Sequence, residues 1–140
     1  MNNQDITILL VDDEPDILEI VGYNLSQEGY KIVTASNGRE AIQVAKTELP
    51  QLIIMDVMMP EMDGIEACEK IRQFPELQNT IITFLTARSE DYSQMAGFDA
   101  GADDYIPKPI KPRILVSKVK ALLRRVKDSV ESSDVLNVGG

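Results

Sequence analysis

LIIMDVMMPEMDG, residues 52–64, is the stretch on which the fold turns. Four apolar residues, Leu52–Met55, run straight into a carboxylate, Asp56. The run is too short for a helix and lacks polar alternation. It reads as a strand buried on both faces, as in a parallel sheet covered by helices. A polar side chain at the carboxyl end of such a strand stands where open α/β sheets place their ligands. Pro60 and Gly64 break the chain after it. Ile65, Cys68 and Ile71 then fall on one face of a following helix.

The same alternation extends in both directions. Upstream, Ile6–Val11 is a second nearly unbroken apolar run, closed by Asp12, Asp13 and Glu14 before Pro15, a residue suited to a first helical turn. Ile17, Leu18, Val21 and Leu25 form a helical stripe that Gly29 can end. Lys31–Ala35 reads as a short strand. Asn37 can cap a helix with Ala41, Ile42, Ala45 and Leu49 on its buried side, and Pro50 stops it. Downstream come a strand at Thr80–Leu85, a weak helix at Ser89–Ala100, and a short strand at Asp104–Ile106. After Pro107, Pro109 and Pro112, the stripe Leu115, Val119, Leu122, Leu123 and Val126 predicts the last helix. Five strand–helix units in strict alternation predict an α/β fold: a (βα)5 doubly wound, parallel five-stranded sheet. Residues 1–126 form the expected domain. Residues 127–140, rich in Ser, Asp and Gly, read as a linker or disordered tail.

Composition narrows the function classes. The chain has 140 residues, 44% of them hydrophobic and 26% charged, which suits one globular domain. Net charge is −9, the wrong sign for sequence-independent binding to nucleic-acid phosphates, so no direct nucleic-acid contact is expected. No apolar run reaches the length of a membrane span, and MNNQDI lacks the basic start of a signal peptide. A single cysteine, Cys68, excludes an internal disulfide and suits a small buried apolar position. A cytoplasmic location follows as the expectation.

The polar residues fall at one end of the predicted sheet. Asp12 and Asp13 follow the first strand, Asp56 ends the third, Thr86 follows the fourth and Lys108 the fifth. Clustered carboxylates repel unless a cation intervenes. A hard divalent ion suits oxygen ligands of this kind. Simpler roles exist for each: Asp12 and Asp13 as helix caps, Lys108 as a surface lysine, Thr86 as a turn residue.

LLVDDEP, IIMDVMMPEMDG, FLTAR and GADDYIPKP, in this order, resemble the receiver domain of bacterial two-component response regulators, over about residues 5–126. The resemblance implies the flavodoxin-like strand order 2-1-3-4-5. It also implies a role for each site residue. Asp56 is the phosphoacceptor, served by a sensor histidine kinase. Mg2+ is held by Asp12, Asp13, Asp56 and the backbone carbonyl of Met58. Lys108 and Thr86 contact the phosphoryl oxygens, and Thr86 with Tyr105 forms a switch acting on the face of the fourth helix, fifth strand and fifth helix.

The closing run, GADDYIPKPIKPRILVSKVKALLRR, resembles the OmpR/PhoB winged-helix transcription factor branch. That branch implies homodimerisation on phosphorylation through Met95, Phe98, Asp103, Asp104, Val116, Lys118 and Arg125. Asp103 with Lys118, and Asp104 with Arg125, stand where two of its charged pairs form, while Gln94 and Ile114 replace a third. VLNVGG resembles the start of the winged-helix domain, so a chain cut short of its output domain is expected over a stand-alone single-domain relay. The rival class is a haloacid dehalogenase-like, metal-dependent phosphatase. It needs an acid two residues after the nucleophile, where Met58 stands. A flavodoxin-like electron carrier would want a Ser/Thr/Gly-rich loop after the first strand, where this chain is acidic.

Overall fold

Burial on both faces selects the parallel sheet. The computed structural model describes residues 2–87 and 99–139. Its strands are β1 (Thr7–Val11), β2 (Lys31–Ala35), β3 (Leu52–Asp56), β4 (Ile81–Ala87) and β5 (Asp104–Lys108). All pairings are parallel and the order is β2-β1-β3-β4-β5, as expected. The helices are α1 (Pro15–Ser26), α2 (Gly38–Glu48), α3 (Gly64–Ile71) and a C-terminal helix (Pro112–Gly139).

Alternate strand residues supply two cores. Leu9, Val11, Ile53, Met55, Ile82 and Phe84 meet Ala41 and Ala45 of α2 and Ala67, Cys68 and Ile71 of α3. On the other face Ile8, Leu10, Ile54 and Leu85 meet Val21 and Leu25 of α1 and Leu115, Val119, Leu122 and Leu123 of the C-terminal helix. Every residue of β3 is buried, which explains its unbroken apolar run. Cys68 packs as a small apolar residue, and burial pushes its thiol up to about 11.

Local chemistry sets the helix ends. Asn37 accepts the Glu40 N–H at 2.8 Å, and Asp63 accepts the Glu66 N–H at 2.8 Å. Leu49 closes α2 in the left-handed conformation (φ 48°), one residue before Pro50.

Several boundaries differ from expectation. β1 begins at Thr7, although Ile6 is still in the core. β4 starts at Ile81 and continues through Thr86 and Ala87, and β5 continues through Pro107 to Lys108. Thr86 and Lys108 therefore sit within strands, not after them. Polar Thr86 and imino Pro107 have the character of terminators. The β4–β5 ladder nevertheless pairs them with each other, because an edge strand tolerates a missing N–H. Most of the helix expected at Ser89–Ala100 lies outside the described residues. The backbone is helical through residues 127–139, where composition suggests a linker. Among the described residues no helix is long and apolar enough to cross a membrane.

Candidate functional site

β1 and β3 are hydrogen-bonded neighbours, with Val11 opposite Met55, so the residues after Val11 emerge beside Asp56. Oxygens of Asp12, Asp13 and Asp56 lie within 4.8 Å of one another. Asp12 and Asp56 are buried, at 1% and 5% exposure, and Asp13 is exposed. Lys108 closes the group from β5. Its ammonium is 3.3 Å from Asp56 Oδ2 and 3.6 Å from Asp12 Oδ2.

The backbone orients both buried carboxylates. Glu14 N–H donates to Asp12 Oδ1 at 2.9 Å, and Met58 N–H donates to Asp56 Oδ1 at 3.2 Å. Capping does not account for the acids: α1 has Glu14 at its N-cap, without a side-chain cap bond. Gly64 brings the start of α3 against β3. Its N–H donates to the Val57 carbonyl at 2.9 Å, and a Cβ there would press into the Asp56 carbonyl oxygen.

The cluster is electrostatically loaded. Burial, with help from the Asp56 charge, pushes Asp12 up to about 6 despite its bond from Glu14 and the nearby Lys108. Burial also raises Asp56 above the usual carboxylate range, against the opposing pull of Lys108. For Lys108 burial acts downward, but Asp56 and Asp12 outweigh it and the net shift is upward.

The donor set fits a hard divalent cation. Asp12 Oδ2 is buried and has no hydrogen-bond partner among the described residues, only the ion pair with Lys108. Three carboxylate oxygens within 4.8 Å of one another are close enough to converge on one such ion. Asp12, Asp13 and Asp56 could hold it, with the Met58 backbone alongside.

Other predicted residues are distributed around this centre. Thr86, in β4 two residues beyond Phe84, is buried at 2% exposure. Tyr105 is half-buried in β5 and packs against the core on the α2–α3 face. Met58 exposes its side chain (63%) and supplies no acid, so the haloacid dehalogenase-type alternative is not favoured. Asp103 takes Arg72 as its partner at 3.0 Å, and Lys118 pairs with Asp104 at 3.6 Å, both within the chain. Val116 is half-buried and Arg125 exposed. Met95 and Phe98 lie outside the described residues. Sequence alone does not single out Gly64 beside Asp56 or Arg72 beside Asp103. Their roles arise from contacts between elements distant in the chain, which local periodicity does not encode.

Comparison with known proteins matches residues 8–120 to the family model described as the response regulator receiver domain. The chain is 46% identical over 134 residues to the alkaline phosphatase synthesis transcriptional regulatory protein PhoP of Bacillus subtilis, covering 93% of this chain and 53% of that protein. It is 45% identical over 128 residues to the transcriptional regulatory protein SrrA of Staphylococcus aureus, covering 91% and 52%. The chain thus spans about half the length of these curated relatives. Among solved structures, the chemotaxis response regulator CheY4 of Vibrio cholerae superposes with a TM-score of 0.80 at 32% identity, over 84% of this chain and 98% of that one.

Proposed function

Because the chain belongs to the response regulator receiver family, we propose that Asp56 accepts a phosphoryl group from a sensor histidine kinase and thereby controls an output. The observation that supports this best is the setting of the Asp56 carboxylate. It is nearly buried at the end of a central strand, and two further acids and one ammonium surround it.

An Asp56 carboxylate oxygen attacks phosphorus and forms the new O–P bond. The P–N bond of the donor phosphohistidine breaks, its electron pair stays on the imidazole nitrogen, and that nitrogen takes up a proton from solvent. Met58 N–H holds one carboxylate oxygen during the attack. The Lys108 ammonium, now paired with Asp56, meets the charge gathering on the phosphoryl oxygens. Asp12, Asp13, Asp56 and the Met58 backbone carbonyl would hold Mg2+, which when bound supplies Lewis-acid neutralisation of those oxygens. The Thr86 hydroxyl donates to the phosphorylated side chain, and Tyr105 answers its movement on the face of β5 and the C-terminal helix. Hydrolysis of the acyl phosphate by water returns the resting state, so the chain catalyses only its own phosphotransfer and dephosphorylation.

A cytoplasmic setting and transcriptional output through a winged-helix domain accompany this reading. So does homodimerisation on phosphorylation. Asp103 and Lys118 already hold partners inside the chain, so pairing across a dimer requires those bonds to exchange. Sedimentation with and without a phosphoryl mimic tests this point; an unchanged monomer at high concentration counts against a dimer.

The decisive experiment is intact mass after incubation with a small phosphodonor and Mg2+. Wild type should gain one phosphoryl group. Asp56→Asn, or wild type without Mg2+, should gain none. No gain in wild type would refute the acceptor role.

A further inference from the structure

β5 delivers Lys108 to the site but has little of its own to hold it there. It is an edge strand, paired among the described residues with β4 alone. Pro107, opposite Thr86, has no N–H, so the ladder donors at this end are its neighbours Ile106 and Lys108. Of its five residues only Ile106 is buried. Register is weakly specified in such a strand. A slip of one residue moves every side chain about 3.3 Å along the strand and turns it to the other face. The Lys108–Asp56 contact is itself 3.3 Å and would not survive that slip.

Side-chain bonds add to the ladder where it begins. Arg72, at the C-cap of α3, donates through Nη2 to Asp103 Oδ2 at 3.0 Å. The same oxygen accepts the Ile82 N–H at 2.9 Å, and Asp103 N–H donates to the Ile82 carbonyl at 2.8 Å. Asp103 is thereby pinned to β4 one step before the ladder opens at Thr83 and Asp104.

The guanidinium is anchored in turn. Nε donates to the Gly101 carbonyl at 2.9 Å, and Nη1 to those of Leu77, Gln78 and Thr80 at 3.0, 3.2 and 2.7 Å. Gly101, at φ 106°, permits this approach; a Cβ there would lie 2.9 Å from Arg72 Cγ. From the opposite side Lys118 donates to the Tyr105 carbonyl at 2.9 Å.

We propose that Arg72 is a positioning residue for Lys108: through Asp103 it sets the register of β5 on β4 and so brings the ammonium to Asp56. The role rests on the acceptor reading of Asp56. On the rate of the reaction Arg72 acts through Lys108, and this separates positioning from the support its other bonds give the fold.

The test is a double-mutant cycle with Arg72→Gln and Lys108→Ala, reading the rate of phosphoryl uptake from a small phosphodonor with Mg2+. Arg72→Gln alone should slow uptake by about tenfold to a hundredfold. In the Lys108→Ala background it should cost nothing further. Amide hydrogen exchange at Ile106 and Lys108 should quicken while that of β1 and β3 stays unchanged. A folded Arg72→Gln protein with the wild-type rate overturns the proposal. So does an equal loss in both backgrounds, or unchanged exchange at Ile106 and Lys108.

Should Arg72→Gln fail to fold, Asp103→Asn replaces it, because the amide oxygen can still accept the Ile82 N–H. It should show the same pattern, and wild-type behaviour would be equally damaging. Wild type that takes up no phosphoryl group defeats the acceptor reading, and the positioning role falls with it. That failure shows in the parent protein, whereas failure of the positioning role shows only between variants.

Discussion

Asp12 and Asp56 leave the centre of the sheet; Lys108 leaves its edge. The central strands β1 and β3 each pair on two sides, and β3 is buried along its whole length. Their backbones are held by ladders and by two apolar cores, so the acids at their ends can be crowded together without moving apart. Among the described residues β5 has one neighbouring strand and one buried residue, and its ladder is joined by hydrogen bonds from Lys118 and, through Asp103, from Arg72. The repulsive half of the site thus stands on the stiff part of the fold. The attractive half arrives on a strand that side chains hold in place. On the proposed acceptor role, a site that responds to a new charge at Asp56 gains from having its cation on the more adjustable support.

The largest effect should come from breaking the edge contribution. Lys108→Ala should slow phosphoryl uptake by about a hundredfold or more, the usual scale for losing one charged donor to a developing anion. Mg2+ affinity should rise in the same protein, because the ammonium competes with a metal for Asp56 and Asp12. Uptake rate and calorimetric titration measure the two. A variant with unchanged uptake would place the edge strand outside the chemistry.

Breaking the centre needs a backbone change. Gly64→Ala puts a methyl group into the Asp56 carbonyl oxygen, so either α3 or the end of β3 must shift. Overpacking of backbone costs about 3 kcal/mol, and denaturant titration should show a loss of this size. A loss near zero would mean that α3 yields easily and that Asp56 is not rigidly placed.

How far these roles are legible in the sequence follows the same division. Leu52–Met55 and Ile6–Val11 announce central strands, because burial on two faces leaves almost only apolar residues in the run. The acids after them are legible for the same reason: they interrupt such runs at the ends where ligands bind. Sequence places the carboxyl ends of β4 and β5 two residues short, and so puts Thr86 and Lys108 after strands that in fact contain them. The bonds of Arg72 to Gly101 and Asp103 span 29 and 31 residues, and no local pattern signals a contact of that range. Gly64 is legible only as a helix breaker, since its closeness to Asp56 appears once α3 is packed.

Crowding at the centre predicts a pH dependence with a definite sign. In the metal-free protein Asp12 titrates at about 6, against 3.8 for the free side chain. Between those values the folded state binds more protons than the unfolded one. Stability therefore falls as pH rises through this window and levels off above it. A tenfold change in proton affinity corresponds to about 1.4 kcal/mol, so the group removes about 2–3 kcal/mol in all. Asp56 is shifted in the same direction and adds to the slope. Asp12→Asn should flatten the profile, and saturating Mg2+ should do so in wild type. A metal-free profile that rises with pH across the window would refute the repulsive description of the centre.

The smallest effect concerns β4, the strand that joins centre to edge. Thr83 is fully buried in it, opposite Asp104, and its hydroxyl has no hydrogen-bond partner among the described residues. Ile81 and Leu85, two residues to either side, belong to the core facing the C-terminal helix, and strand alternation directs Thr83 to that same face. A buried hydroxyl without a partner costs about 1–3 kcal/mol relative to a methyl group of similar shape, part of which its solvation in the unfolded chain determines. Thr83→Val keeps the β-branched shape that a strand favours and removes the unpaired oxygen. It should stabilise the domain by about 1 kcal/mol in denaturant titration, with phosphoryl uptake unchanged. A destabilised Thr83→Val protein would show that the hydroxyl finds a partner in solution, and Asp104, opposite it and paired with Lys118, would be the first place to seek it.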